Sequence, residues 1–285
     1  MRTLKKQSGY ITMVALWVSA ILIVLLSGLT VYVKYQQRAV KNYAARVKAF
    51  YIAKAGANIM VYATNTSQGS RSLSRLAGIS SLNKSNENVS FGEGVYTGTI
   101  VDEKSKANIN TASEFLLRRM MEEIGIDDAA QKARGIMKWK REHGLFLHVE
   151  ELGLVPELDV DDCFKITPYF TIYSLGAPGS CSVNVNTASL VVLKTQLEEF
   201  GAPPKLVADL MAKRPFTGEA LWTFIKKRAP RMKDDMVKYF TFAAPVHSIR
   251  VTATMNETIK VTINTSVENW HTGHEVLYIL DWWEE

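Results

Sequence analysis

The sequence predicts an α+β protein: a long N-terminal helix, an antiparallel sheet built from two separated parts of the chain, and a large all-α insertion of two related subdomains. Three observations carry this. Tyr10 to Val33 holds no charged residue, and Ala-rich text without proline continues the helical character to about Thr64. Runs rich in β-branched and aromatic residues occur at Val95 to Val101 and again only after Ser248. Between them Asn108-Ile109-Asn110-Thr111-Ala112-Ser113 recurs as Asn184-Val185-Asn186-Thr187-Ala188-Ser189, each copy leading into an apolar helical stretch.

The first element justifies itself by length. An uncharged helix over residues 10–33 spans a bilayer core of roughly 30 Å at about 1.5 Å per residue. Arg2, Lys5 and Lys6 precede it and hold the short tail on the cytoplasmic side, so the bulk of the chain lies across the membrane. A cleavable secretory signal is the competing reading. It is disfavoured because the apolar run is long, no small-x-small site closes it, and helical sequence runs straight through its end. Residues 34–64 then form a stem, with Tyr43, Val47, Phe50, Lys54 and Ala57 near one face.

Charge divides at the stem. Up to Lys84 the chain carries twelve Lys or Arg and no Asp or Glu, so the net +6 leaves −6 for the remainder. The stem cations Lys34, Arg38, Lys41, Arg46, Lys48 and Lys54 fit either attraction to acidic neighbours and headgroups or a solvated helix face. Cys163 and Cys181 are compatible with one disulfide in an oxidising compartment, and equally with two buried thiols.

Residues 65–106 read as a polar loop followed by the first strand, and residues 246–285 as three returning strands, the first two joined by a hairpin turn near Asn256. One strand before the insertion of residues 107–245 and three after it predict a single sheet. Within the insertion, Asn110, Thr111, Asn186 and Thr187 are residue types that cap helix N-termini, and capping is the role expected of them. A weaker echo joins Phe146 to Leu152 with Phe216 to Trp222, each preceded by a basic helix. The two Trp of the C-terminal run, Trp282 and Trp283, are adjacent on a strand and therefore point to opposite faces.

A short basic leader ending in Gly9, an uncharged run starting at Tyr10, a continuous stem and the motif Ala53-Lys54-Ala55-Gly56 resemble the N-terminus of type IV pilin-like proteins. The resemblance implies that residues 1–9 are a leader removed by a prepilin peptidase between Gly9 and Tyr10, with methylation of the new N-terminus. Most pilins carry Glu at the fifth mature position, where this chain has Val14. With the insertion and the returning strands, the whole chain is similar to the general secretion pathway protein K (GspK) family of type II secretion pseudopilins. This implies a pilin-like sheet, an insertion of two helix-hairpin-helix or SAM-like subdomains, and an inner-membrane, single-pass protein whose main domain is periplasmic. The implied role is at the tip of the pseudopilus with I- and J-type subunits, supporting export across the outer membrane. Further implied partners are other pseudopilus subunits and the inner-membrane secretion platform. Val14, Trp17, Ile21 and Val24 are the expected contacts between membrane helices.

Other classes fit less well. The repeated motifs also resemble helix-hairpin-helix DNA-binding domains of the competence kind, which seat phosphate on backbone N–H groups. The corresponding loops, Glu123 to Asp128 and Phe200 to Pro204, have one Gly each, aspartates or prolines where donors are needed, and no basic surroundings. No nucleophile arrangement points to an enzyme, and His271, His274 and Glu275 match no helical zinc signature. Calcium is implied by the resemblance alone, with Asp159, Asp161 and Asp162, or Asp127 and Asp128, as oxygen ligands outside any twelve-residue loop pattern.

Overall fold

The computed structural model describes residues 4–65, 88–173, 182–230, 239–242, 246–271 and 275–284. Helix α1, Leu4–Asn65, is one unbroken element of 62 residues. No proline interrupts it, and the Ala-rich second half favours continuation. The chain then builds a five-stranded sheet in the order β1 (Val89–Phe91), β2 (Gly94–Asp102), β7 (Val246–Met255), β8 (Ile259–His271), β9 (Glu275–Glu284). Every adjacent pair in it is antiparallel.

Where a single first strand was expected, the chain makes a β1–β2 hairpin. Phe91 pairs with Gly94, leaving Gly92 and Glu93 as the loop. Gly92 has φ +60°, the conformation that a two-residue turn with Gly at its first central position demands. The expected turn near Asn256 is present, with Asn256 and Glu257 both at positive φ and Thr258 N–H donating to Met255 O.

The second half of α1 lies on the sheet. Its buried stripe is Ala45, Ala49, Ile52, Ala53, Ala57 and Met60, packed with Tyr96, Ile249, Val251, Ala253, Val261 and Ile263. Of the five residues that the sequence places near one face, Ala57 is buried and Phe50 packs against this core, while Tyr43 is 72 % exposed and Lys54 is exposed. Small side chains decide the matter, since they bring the helix backbone close to the strands. A Cβ added at Gly56 would stand 2.8 Å from the Tyr96 ring and 3.0 Å from Val251.

Between β2 and β7 lie two helical units. The first contains β3 (Ala107–Asn108), α2 (Glu114–Glu123), α3 (Ala129–His143), α4 (Val160–Ile166) and β4 (Phe170–Thr171). The second contains β5 (Val183–Asn184), α5 (Leu190–Glu199), α6 (Pro204–Lys213), α7 (Gly218–Arg228) and β6 (Phe240–Thr241). Each opens with the repeated motif, and each closes with a short strand parallel to its opening one. Each has its own apolar core, the first around Leu117, Met121, Ile136 and Phe170, the second around Leu197, Leu210, Phe216 and Leu221.

Candidate assembly surface

Two regions bear on assembly: the bare half of α1 and the joints that hold the helical units rigid. Every described side chain from Gly9 to Ala44 is exposed, and the sheet first covers the helix at Ala45. Val14, Trp17, Ile21 and Val24 are 43, 64, 56 and 70 % exposed, so none of the described residues covers them. Gly9 and Tyr10 sit inside the helix, where Thr12 Oγ1 donates to Gly9 O at 2.9 Å. The helix is long and apolar enough to cross a membrane. The flanking charges Arg2, Lys5 and Lys6 lie outside the residues whose side chains are described.

The repeated motif is a bracket rather than a cap. Asn110 Nδ2 donates to Phe146 O at 2.9 Å, and its Oδ1 accepts from Phe146 N–H at 2.9 Å. Asn186 treats Phe216 identically, at 2.9 and 2.7 Å. The amide thus clamps the loop before the unit's next helical turn, and the weak sequence echo around Phe146 and Phe216 is this shared clamp. Asn108 Oδ1 accepts from Asn110 N–H and Thr111 N–H, and Asn184 Oδ1 accepts from Asn186 N–H. The caps themselves are Ser113 and Ser189, whose hydroxyls accept from Leu116 N–H and Val192 N–H. Asn110, Thr111, Asn186 and Thr187 therefore do not cap: they fall three or two residues too early, in a turn that the buried Asn108 and Asn184 fold.

Sequence reasoning missed the joints because they link positions far apart in the chain. Asp102, at the end of β2, accepts from Asn184 Nδ2 at 2.8 Å and Thr187 Oγ1 at 2.5 Å, tying the sheet to the second unit. Helices α2 and α5 are crosslinked by Arg119 to Glu198 at 2.8 Å, Lys194 to Glu123 at 2.5 Å and Ser113 Oγ to Glu199 at 2.6 Å. The paired numbers run in opposite senses, so the two equivalent helices pack antiparallel. The doubled Asn-x-Asn-Thr-Ala-Ser motif was the available signal that α2 and α5 are equivalent.

Of the acidic residues expected to hold calcium, Asp159 and Asp162 are engaged within the fold. Asp159 and Asp162 form a capping box at the start of α4, each carboxylate accepting from the other's N–H. Asp162 Oδ2 also meets Lys132 Nζ at 2.6 Å, with both side chains largely buried. Among the described residues no three His, Cys, Asp or Glu gather as metal ligands would, Asp127, Asp128 and Asp161 included. Burial opposes the Asp162 charge, but Lys132 and the Asp159 backbone outweigh it and hold the carboxyl below its usual range. The native state therefore binds fewer protons here than the unfolded chain does. The stabilisation is present above about pH 4 and is lost as pH falls through the lower folded value. In Lys132→Met the buried carboxylate loses its partner and its acid form is favoured. The gap in Tm between wild type and this variant should narrow between pH 6 and pH 3, measured by thermal unfolding.

Cys181, His274 and the side chains of Trp282 and Trp283 lie outside the described residues, and with them the disulfide, the histidine pair and the two tryptophan faces. Of the hairpin loops, Gly125 and Gly201 share φ of +74° and +73°, so the two turns match in backbone. Asp127 and Asp128 stand immediately before α3, where a phosphate would need bare N–H groups.

No protein-family model matches the chain. No curated protein matches its sequence. The architecture matches a chain of the crystal structure of the GspK–GspI–GspJ complex from the type 2 secretion system of enterotoxigenic Escherichia coli, with a TM-score of 0.62. The likeness covers 88 % of this chain and 99 % of the other, at 13 % identity. The fold is GspK-like. In this chain that fold comprises a long N-terminal apolar helix, a five-stranded antiparallel sheet and several additional helices.

Proposed function

We propose that the chain is a minor pseudopilin of a type II secretion system, assembling with I- and J-type subunits at the tip of a periplasmic pseudopilus. The observation that carries this is the division of α1: one half is docked on a sheet, and the other, from Gly9 to Ala44, is uncovered and contains the uncharged run Tyr10 to Val33. Such a helix rests in the membrane as a store and exchanges lipid for neighbouring helices on assembly. The GspK-like fold supports the choice of subunit, since its solved counterpart lies in a complex with GspI and GspJ. Val14 presents no carboxylate for a neighbour's N-terminal amine, as suits a subunit with nothing above it, and the insertion supplies bulk that limits further addition. The role is structural, without catalysis, and the inner-membrane platform and the remaining pseudopilus subunits are its other partners.

Processing tests the reading. After co-expression with a prepilin peptidase, mass spectrometry should find a mature N-terminus at Tyr10 in wild type and an uncut chain in Gly9→Ala. An uncut wild type, under conditions where a control prepilin is processed, would refute the pseudopilin assignment. Pull-down with I- and J-type subunits then tests the tip position.

A further inference from the structure

Between the uncharged run and the first residue covered by the sheet lies a neck of bare helix, residues 34–44. Its charged residues are Lys34, Arg38 and Lys41, with no acid among them. The spacing i, i+4, i+7 sets all three on one face of α1. All three are exposed, and none has an ion-pair partner among the described residues. Contrast Arg46 and Lys48 further along the helix, which reach Glu284 at 3.6 Å and Glu93 at 2.5 Å. Among the described residues, the ion pairs that α1 makes with the protein's own carboxylates thus all lie beyond the neck.

Distance from the apolar run selects the occupant. At about 1.5 Å of rise per residue, Lys34 lies within about 2 Å of the end of the run, Arg38 about 8 Å beyond it and Lys41 about 12 Å. The headgroup layer on each side of a bilayer is about 5–8 Å thick. Lys34 and Arg38 fall inside that layer, and the long Lys41 side chain can bend back to it. Tyr32 and Tyr35, 62 and 74 % exposed, bracket Lys34 with rings suited to the same interface.

We propose that Lys34, Arg38 and Lys41 form a collar that binds the phosphates of acidic phospholipids and fixes the depth of the helix before assembly. The proposal rests on the membrane-anchor reading of residues 10–33. The full-length chain is placed in nanodiscs of phosphatidylcholine and phosphatidylglycerol at three to one, then extracted in mild detergent, and the retained lipids are quantified by mass spectrometry. Wild type should retain phosphatidylglycerol several-fold above its bulk share, since each cation near an acidic surface is worth about a fivefold change in partition. Enrichment should vanish in Lys34→Gln/Arg38→Gln/Lys41→Gln and persist in Lys138→Gln/Lys205→Gln/Lys227→Gln, which removes three exposed cations of the helical units. Equal enrichment in both variants, or none in wild type, overturns the collar. So does a neck variant with unchanged lipid retention but weaker association with partner pseudopilins, because the cations then serve a protein. Liposome flotation reads insertion separately: a wild type that fails to float removes the anchor itself.

Discussion

Asn186→Ala should destabilise the second helical unit by about 2–4 kcal/mol, because two buried backbone groups lose their partner at once. Phe216 is 4 % exposed, and both its N–H and its C=O are held by the Asn186 amide. Alanine leaves a donor and an acceptor without replacement in a site that water reaches poorly. For a chain of this size the loss corresponds to a fall in Tm of about 5–15 °C, read by thermal unfolding in mild detergent. Asn186→Asp keeps the acceptor for Phe216 N–H but turns a second carboxylate oxygen towards Phe216 O, so repulsion and desolvation should leave most of the loss in place. Asn110→Ala should cost a similar amount through Phe146, which is 2 % exposed. A loss below about 0.5 kcal/mol in both alanine variants would show that the clamp is a surface contact with no structural weight.

Gly56→Leu should cost about 3 kcal/mol by overpacking the contact between stem and sheet. The first carbon of any side chain there already meets the Tyr96 ring at 2.8 Å, and Tyr96 is only 1 % exposed. A ring sealed in the core cannot swing aside, and β-branched Val251 closes the other flank. Gly56→Ala poses a sharper test, since helix propensity alone would make it stabilising by about 1 kcal/mol. The contact outweighs that gain, so the net change should still be a loss. Gly28→Ala is the control, because nothing lies within 4 Å of a Cβ added there and propensity alone should act. Thermal unfolding of the three variants, with near-ultraviolet dichroism reporting the tyrosine environment, distinguishes these outcomes.

Each prediction depends on a residue whose type was legible before its work was. The run from Tyr10 to Val33, the three returning strands and the doubled Asn-x-Asn-Thr-Ala-Ser motif are local patterns, and local patterns survive in sequence. The strands formed because alternating β-branched residues fit a pleated, half-buried surface, and the turn at Asn256 sits where the pattern breaks. Apolar size alone does not mark the buried face of the stem. Close approach of a helix to a sheet selects small residues, so Ala45, Ala49, Ala53 and Gly56 went in and Tyr43 stayed out.

The cap was misplaced for a related reason. Asn and Ser both suit helix starts, and which of them serves is decided by where a second loop arrives to claim the amide. That loop comes 36 residues later in the first unit and 30 later in the second, a difference that weakens the echo between Phe146 and Phe216. The apolar helix, the sheet divided by an insertion and the duplicated unit are all legible along the chain, because each follows from the pattern of neighbouring residues. Which stem face is buried, what Asn110 and Asn186 hold, and how Asp102, Arg119 and Lys194 tie sheet and units together are not legible there. Those depend on distances between residues far apart in the chain, and such distances exist only once the chain has folded.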